Sequence, residues 1–174
     1  MIQGERVHLR VVTATDLALL TGWMNNFNFN SEYNTFGLRS ANSIEKSFAE
    51  NGLMSPQHGE LLIVIQNDTV IGNISYHQTR YGPNEDSIAY NIGLSIAVEH
   101  RGKGYGVEAQ KLLARYLFST YPVKRVEATT DIENRAEQRA LEKAGFTREG
   151  VMRQAQWRAG DWHDMVVYSK LRGE

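Results

Sequence analysis

The chain has 174 residues, 41% of them hydrophobic, and a net charge of −1; it is long enough to bury one core and carries no basic footprint for nucleic acid or an anionic membrane surface. It contains no cysteine, which excludes disulfides, thiolate metal sites and a cysteine acyl-enzyme. The start, Met1-Ile2-Gln3-Gly4-Glu5, has neither the basic nor the apolar region of a signal peptide, and no apolar run approaches membrane-spanning length. The expectation is one domain over 1–174, cytoplasmic, monomeric or homodimeric.

In chain order, Val7-His8-Leu9-Arg10-Val11 alternates apolar and polar residues and predicts a first strand. Thr15 or Asp16 can cap a helix carrying Leu17, Leu20 and Trp23 at helical spacing, with Leu19 broadening the stripe. The run Asn25-Asn26-Phe27-Asn28-Phe29-Asn30 alternates aromatic and amide residues and suits a loop or lid better than a regular element. A helix over 43–51 carries Ile44 and Phe48 and ends near Gly52. Residues 61–65 and 69–76 predict a β-hairpin across Asn67-Asp68, followed by a loop over 80–86.

A long strand over 88–98 leads into Gly102, Gly104 and Gly106 and a helix with Ala109, Leu112, Leu113, Tyr116 and Leu117 on one face. A strand over 125–130 precedes a helix over 134–144 that Gly145 would close in a left-handed cap. Residues 150–158 and 162–171 predict two strands across Gly160-Asp161. The pattern is α/β, a mixed sheet covered by helices. The strands over 88–98 and 126–131 are parallel in a right-handed βαβ unit, and the glycines lie at the first strand's carboxyl end, where ligands bind.

Three glycines at alternate positions opening a helix form a backbone cradle for phosphate, because glycine reaches positive φ and the first helical amides lack intrahelical partners. A nucleotide P-loop fails here, since Lys103 is followed by Gly104 and Tyr105 rather than a hydroxyl residue. The dinucleotide fingerprint fails at Val107 and for want of an acidic strand about 20 residues on. What remains is R-x-x-G-x-G, read as Arg101, Gly104 and Gly106, or a glycine-rich turn with no ligand.

R-x-x-G-x-G resembles the acetyl-CoA pyrophosphate loop of the GNAT superfamily of N-acetyltransferases. Leu9-Arg10, Asp16 and Trp23, then Asn134 with Leu141-Glu142-Lys143-Ala144-Gly145-Phe146 and Glu149-Gly150, then Met152-Arg153-Gln154-Ala155, Gly160-Asp161-Trp162-His163-Asp164 and Tyr168, resemble its RimJ/RimL-like ribosomal-protein branch. The resemblance implies a GNAT-like fold in which the strand ending at Val98 splays from the strand 126–131. Acetyl-CoA, as co-substrate, would lay its pantetheine in that slot against main-chain groups of Ile96 and Val98. Its pyrophosphate would rest on Arg101, Gly102, Lys103, Gly104, Tyr105 and Gly106, Asn134 would meet the pantetheine, and the acceptor would enter from the opposite side.

Without a cysteine to carry the acyl group, the simplest chemistry is direct attack of a neutral amine on the thioester. That requires a donor for the thioester oxygen, such as a main-chain amide near Val98, and a proton for the leaving thiolate. The branch commonly places a serine three residues after the asparagine; here Glu137 stands there, either a protonated carboxyl that donates to sulfur or the return arm of an N-x-x-E capping box. The tyrosine that many GNAT members use corresponds to Leu141. Two positions where branch members carry glutamate are Asn91 and Gln156, which can orient an acceptor but cannot take its proton. A site without a strong base suits an α-amine or another low-pKa amine better than a lysine side chain, by on the order of 3 kcal/mol of deprotonation.

His77, Glu85, Asp86 and His163 are relay candidates or ordinary loop residues. The five histidines show no metal-ligand spacing, so no metal is expected. Two readings of function follow: an acetyl-CoA-dependent N-acetyltransferase of a primary amine, at a protein N-terminus or on a small molecule, and a catalytically silent acyl-CoA-binding module. A purely structural domain is the third.

Overall fold

A computed structural model of the chain describes residues 1–84 and 86–174; Glu85, one of the relay candidates, lies outside them. Eight strands form one sheet: β1 Ile2–Gln3, β2 His8–Val11, β3 His58–Ile65, β4 Thr69–Arg80, β5 Ile88–Ile96, β6 Arg125–Asp131, β7 Thr147–Arg158 and β8 Asp161–Leu171. Their spatial order is β1-β2-β3-β4-β5-β6-β8-β7, antiparallel throughout except for β5 against β6. The helices are α1 Leu17–Met24, α2 Phe27–Asn30, α3 Ser43–Asn51, α4 Tyr105–Thr120 and α5 Arg135–Lys143. This is the mixed, helix-covered sheet that the alternation of periodicities predicts.

Strand alternation divides the side chains between two faces. Leu61, Ile63, Ile74, Tyr76, Ile92 and Ile96 are buried with Ala109, Leu112, Leu113 and Leu117 of α4, which forms the main core. Leu62 and Val64 point the other way and bury Val12, Leu20 and Leu53, with Trp23, Ile44 and Phe48 packed around them. α1 and α3 thus lay their apolar residues on one sheet face and α4 and α5 on the other. Leu19 stays 38% exposed, outside the stripe.

Several boundaries differ from expectation for local physical reasons. Asp16 does not cap α1 with its side chain: its carboxylate accepts from both guanidinium nitrogens of Arg10 (2.7 and 2.8 Å), which holds its pKa well below the carboxylate range, and from the Thr13 amide, as the return arm of a capping box on the 3-10 turn over 14–16. The Asn-rich run is not an open loop. Asn26 accepts from the amides of Asn28 and Phe29, capping one helical turn, and Phe29 stacks on Trp23 with ring centroids 4.2 Å apart. Strand β5 stops at Ile96, so Val98 belongs to a 3-10 turn closed by His100 and Arg101 amides bonding back to Ala97 and Val98. The final turn is Ala159-Gly160, both with positive φ, and Asp161 already starts β8. Gly145, at φ +86, closes α5 as expected, its amide bonding Glu142 O while Phe146 N bonds Leu141 O.

Candidate functional site

The parallel pair β5/β6 is joined only at Tyr90↔Val126 and Asn91↔Glu127. Beyond Asn91 the two strands part, while β5 stays paired to β4 as far as Gly72↔Ile96. Ala97 donates to Ile71 O, which fixes the phase of that antiparallel ladder and turns the main-chain groups of Leu94 and Ile96 away from β4, into the wedge. The Ile96 carbonyl is met there by Arg101 Nε at 2.7 Å. The Val98 amide, just past the strand, has no protein acceptor among the described residues. Ile96 and Val98 therefore border the wedge.

Past the wedge the chain bends at Gly102 (φ +74) and Gly104 (φ +83), conformations that glycine takes without Cβ strain, and enters α4. Among the described residues, none of the six amides from Gly102 to Val107 has a protein acceptor. Such a row at a helix start is an anion site. Gly102 has open space where a Cβ would stand, while a Cβ on Gly106 would reach Ile96 and Leu94 at 3.4 and 3.5 Å. Gly102, Lys103, Gly104, Tyr105 and Gly106 thus lie where a diphosphate would be held, and the residues present fit coenzyme A.

Arg101 does not share that role. Its amide is bonded to Val98 O, and its guanidinium donates to Ile96 O, Asn28 O and Phe29 O, the last at 2.6 Å. Rather than offering charge to phosphate, it ties α2 to the end of β5. The cradle runs from residue 102 to 107, one step beyond the expected start.

Arg6 is the residue the sequence did not reveal. Its guanidinium donates to the carbonyls of Lys103 (2.9 Å) and Gly104 (3.3 Å). In a trans peptide the carbonyl and the next amide point oppositely, so this grip turns the Gly104 and Tyr105 amides toward the anion side. Glu108 holds Arg6 in turn, accepting from its Nε and from the main-chain amides of Glu5, Arg6 and Val7. Burial would raise the Glu108 carboxyl, but these donors outweigh it and leave its pKa lowered. A charged residue just ahead of the first strand is the only hint in the sequence.

Asn134 caps α5, its Oδ1 accepting from Glu137 N at 3.2 Å. The reciprocal half of the capping box is absent: Asn134 N bonds Asp131 O, and the Glu137 carboxylate instead receives Gln110 Nε2 at 2.5 Å. Burial pushes the Glu137 carboxyl up to about 7, against the lowering effect of Gln110. Its role as the return arm of a cap is thus corrected.

The two amides have different surroundings. Asn91 stands at the fork itself, on the sheet face away from α4. Gln156 is engaged: its Oε1 accepts from Arg158, whose guanidinium is buried in an ion pair with Asp131, with His163 Nδ1 beside that carboxylate at 3.1 Å. His163 is therefore a structural partner rather than a free relay. His77 and Asp86 are exposed, His77 opposite His58 in the β3/β4 register.

The segment after α1 covers the front of the wedge. Arg101 holds α2, Tyr33 OH donates to Glu133 O at 3.4 Å, and Arg158 donates to Tyr33 O. Behind it lies a cavity of about 550 Å³ whose lining includes Trp23, Phe27, Phe29, Phe36, Glu60 and Asn73. Among the described residues no group of three His, Asp or Glu is placed for a metal, and no helix is long and apolar enough to cross a membrane.

A family model described as an acetyltransferase (GNAT) domain matches residues 6–147. The N-acetyltransferase YoaA of Bacillus subtilis is 28% identical over 99% of this chain and 97% of its own. By fold, the chain resembles a spermidine N-acetyltransferase from Vibrio cholerae, solved with CoA and spermine (TM-score 0.82, 19% identity, 95% of each chain). It resembles equally a ribosomal-protein-S5-alanine acetyltransferase from Vibrio fischeri (TM-score 0.79, 20% identity, 99% and 96% of the two chains). The two likenesses do not separate a ribosomal-protein branch from a polyamine branch.

Proposed function

Because this chain belongs to the acetyltransferase (GNAT) family, we propose that it transfers an acetyl group from acetyl-CoA directly to a primary amine, a protein N-terminus or a small molecule. The observation that carries this reading is the conjunction of six acceptor-free amides at 102–107 with a β5/β6 ladder only two pairs long. The amides hold the diphosphate, and the wedge admits the arm that bears the thioester.

A neutral amine attacks the thioester carbon from the face opposite α4, and the Val98 amide donates to the carbonyl oxygen as it gains charge. The N–C bond forms, the C–S bond breaks, and the sulfur takes the Glu137 proton; the proton lost from nitrogen passes to water, and Glu137 recovers its own from solvent. A carboxyl held at about 7 is matched to that exchange at neutral pH.

The test is thiol release from acetyl-CoA across a panel of small amines and short peptides. Turnover with any of them supports the enzyme. Tight CoA binding with no release above background across the panel favours the silent acyl-CoA-binding module, which the uncharged Asn91 and Gln156 would suit.

A further inference from the structure

We propose that the cavity behind α2 is a second-cation site, with Glu60 as its counter-charge, so that the acceptor is a small diamine or polyamine. This rests on the transfer reaction proposed above and names its substrate class. Glu60 is on β3 and Asn73 on β4, both lining the cavity. The Glu60 carboxylate accepts from Asn73 Nδ2, and no described cation lies within ion-pair distance of it. Arg39 lines the same cavity without pairing to it, and burial, with His77 adding to it, lowers the His58 pKa and favours its neutral form.

A buried carboxylate is costly unless a cation meets it, even where amides and hydroxyls share the cavity wall. The strain is visible in Glu60 itself, whose pKa burial raises despite Asn73 and Arg39. Asn73 Oδ1 is also buried without a donor. An ammonium group brings three N–H donors, enough for the carboxylate and this orphaned oxygen together. Trp23, Phe27, Phe29 and Phe36 line the cavity, Trp23 and Phe29 as a stacked pair, and aromatic rings favour an organic cation over water.

Register supplies the length. Asn73 pairs with Ser95 of β5, on the face that Asn91 also occupies, so Glu60 stands two strand spacings, roughly 10 Å, from the strand that borders the wedge. A molecule with one ammonium at Glu60 and a neutral amine at the thioester spans that interval; its alkyl amine is harder to deprotonate than an α-amine, and the Glu60 contact is what outweighs that handicap for a diamine. A peptide N-terminus presents an amide carbonyl next to its amine and makes no use of Glu60.

The experiment measures thiol release with hexane and octane diamines, propane diamine, hexylamine and short neutral peptides, for the wild type, Glu60→Gln and Glu60→Asp, together with calorimetric titration of hexane diamine. The long diamines should exceed hexylamine in kcat/KM by roughly tenfold, propane diamine should not, and Glu60→Gln should bring the ratio close to one through KM while Glu60→Asp keeps part of it. A ratio unchanged by Glu60→Gln, or neutral peptides favoured over diamines, overturns the proposal. Should no amine release thiol, the transfer reading fails by itself; the cation site then stands if hexane diamine binds the wild type and not Glu60→Gln, and falls if the wild type does not bind it.

Discussion

The cradle at residues 102–107 and the covering segment at residues 25–39 meet at one side chain, Arg101, yet they are made by opposite means. The cradle is main chain: two left-handed glycines and six amides, all within six consecutive residues. The acceptor side is an assembly of side chains from α1, α2, β3 and β4, whose members Trp23, Phe29, Glu60 and Asn73 are far apart in the chain. On the proposed function, the ligand common to the family would be met by backbone and the acceptor that differs by side chains, so the two halves should respond differently to substitution.

The largest effect should come from Gly104→Val. A β-branched residue resists φ +83, and its Cβ would stand 3.1 Å from Arg6 Nη2; at about 1–2 kcal/mol for a left-handed residue, calorimetry should show CoA bound roughly tenfold more weakly with the circular dichroism spectrum retained. Unchanged affinity would detach the loop from the cofactor. Glu137→Gln should next lower kcat by about tenfold with CoA affinity unaltered.

The pH dependence gives that variant a second signature. The folded pKa of Glu137, about 7, lies above its ordinary 4.5, so the folded state binds this proton more tightly than the unfolded one. Its stabilising contribution is complete below about pH 4.5 and is lost as pH rises through about 7. The Tm of the wild type should therefore drop between pH 6 and pH 8 relative to Glu137→Gln. A lower Tm at both pH values with normal turnover would make Glu137 a structural residue.

Arg6→Ala sharpens the comparison from behind the cradle. It removes the grip on two carbonyls without touching the anion side, and CoA affinity should fall about threefold to fivefold, with partial recovery in Arg6→Lys. The smallest effect should be that of Arg101→Ala. By freeing α2 it should raise KM for the amine about twofold to threefold while changing CoA affinity less; the reverse pattern would return Arg101 to the cofactor.

How much was legible follows the same division. α3 and its Gly52 end, α4 and the Gly145 cap are periodic or punctuated locally and form as their residues imply; the hairpin forms too, but over 58–80 rather than 61–76, its second strand taking in Arg80 of the expected loop. Strand β5 ends two residues short of the apolar run, which passes through Val98, because Arg101 reaches back to Ile96 O and the chain folds into a turn. The Asn-Phe run hid one turn of helix, since only the Trp23 stack makes Phe29 an interior residue while Phe27 stays 60% exposed. Glu137 satisfied a capping pattern by spacing, and Gln110, 27 residues earlier, diverted it. Glu60 and Arg6 act across more than ten and nearly a hundred residues respectively, and no local pattern marks such partners.

The most direct measurement is a crystal structure of the chain with coenzyme A. The account predicts the diphosphate on the amides of residues 102–107, with Arg6 behind them, and the pantetheine between β5 and β6 with its thiol facing Glu137. A ligand lodged elsewhere, or β5 and β6 hydrogen-bonded to one another beyond Asn91, would contradict it.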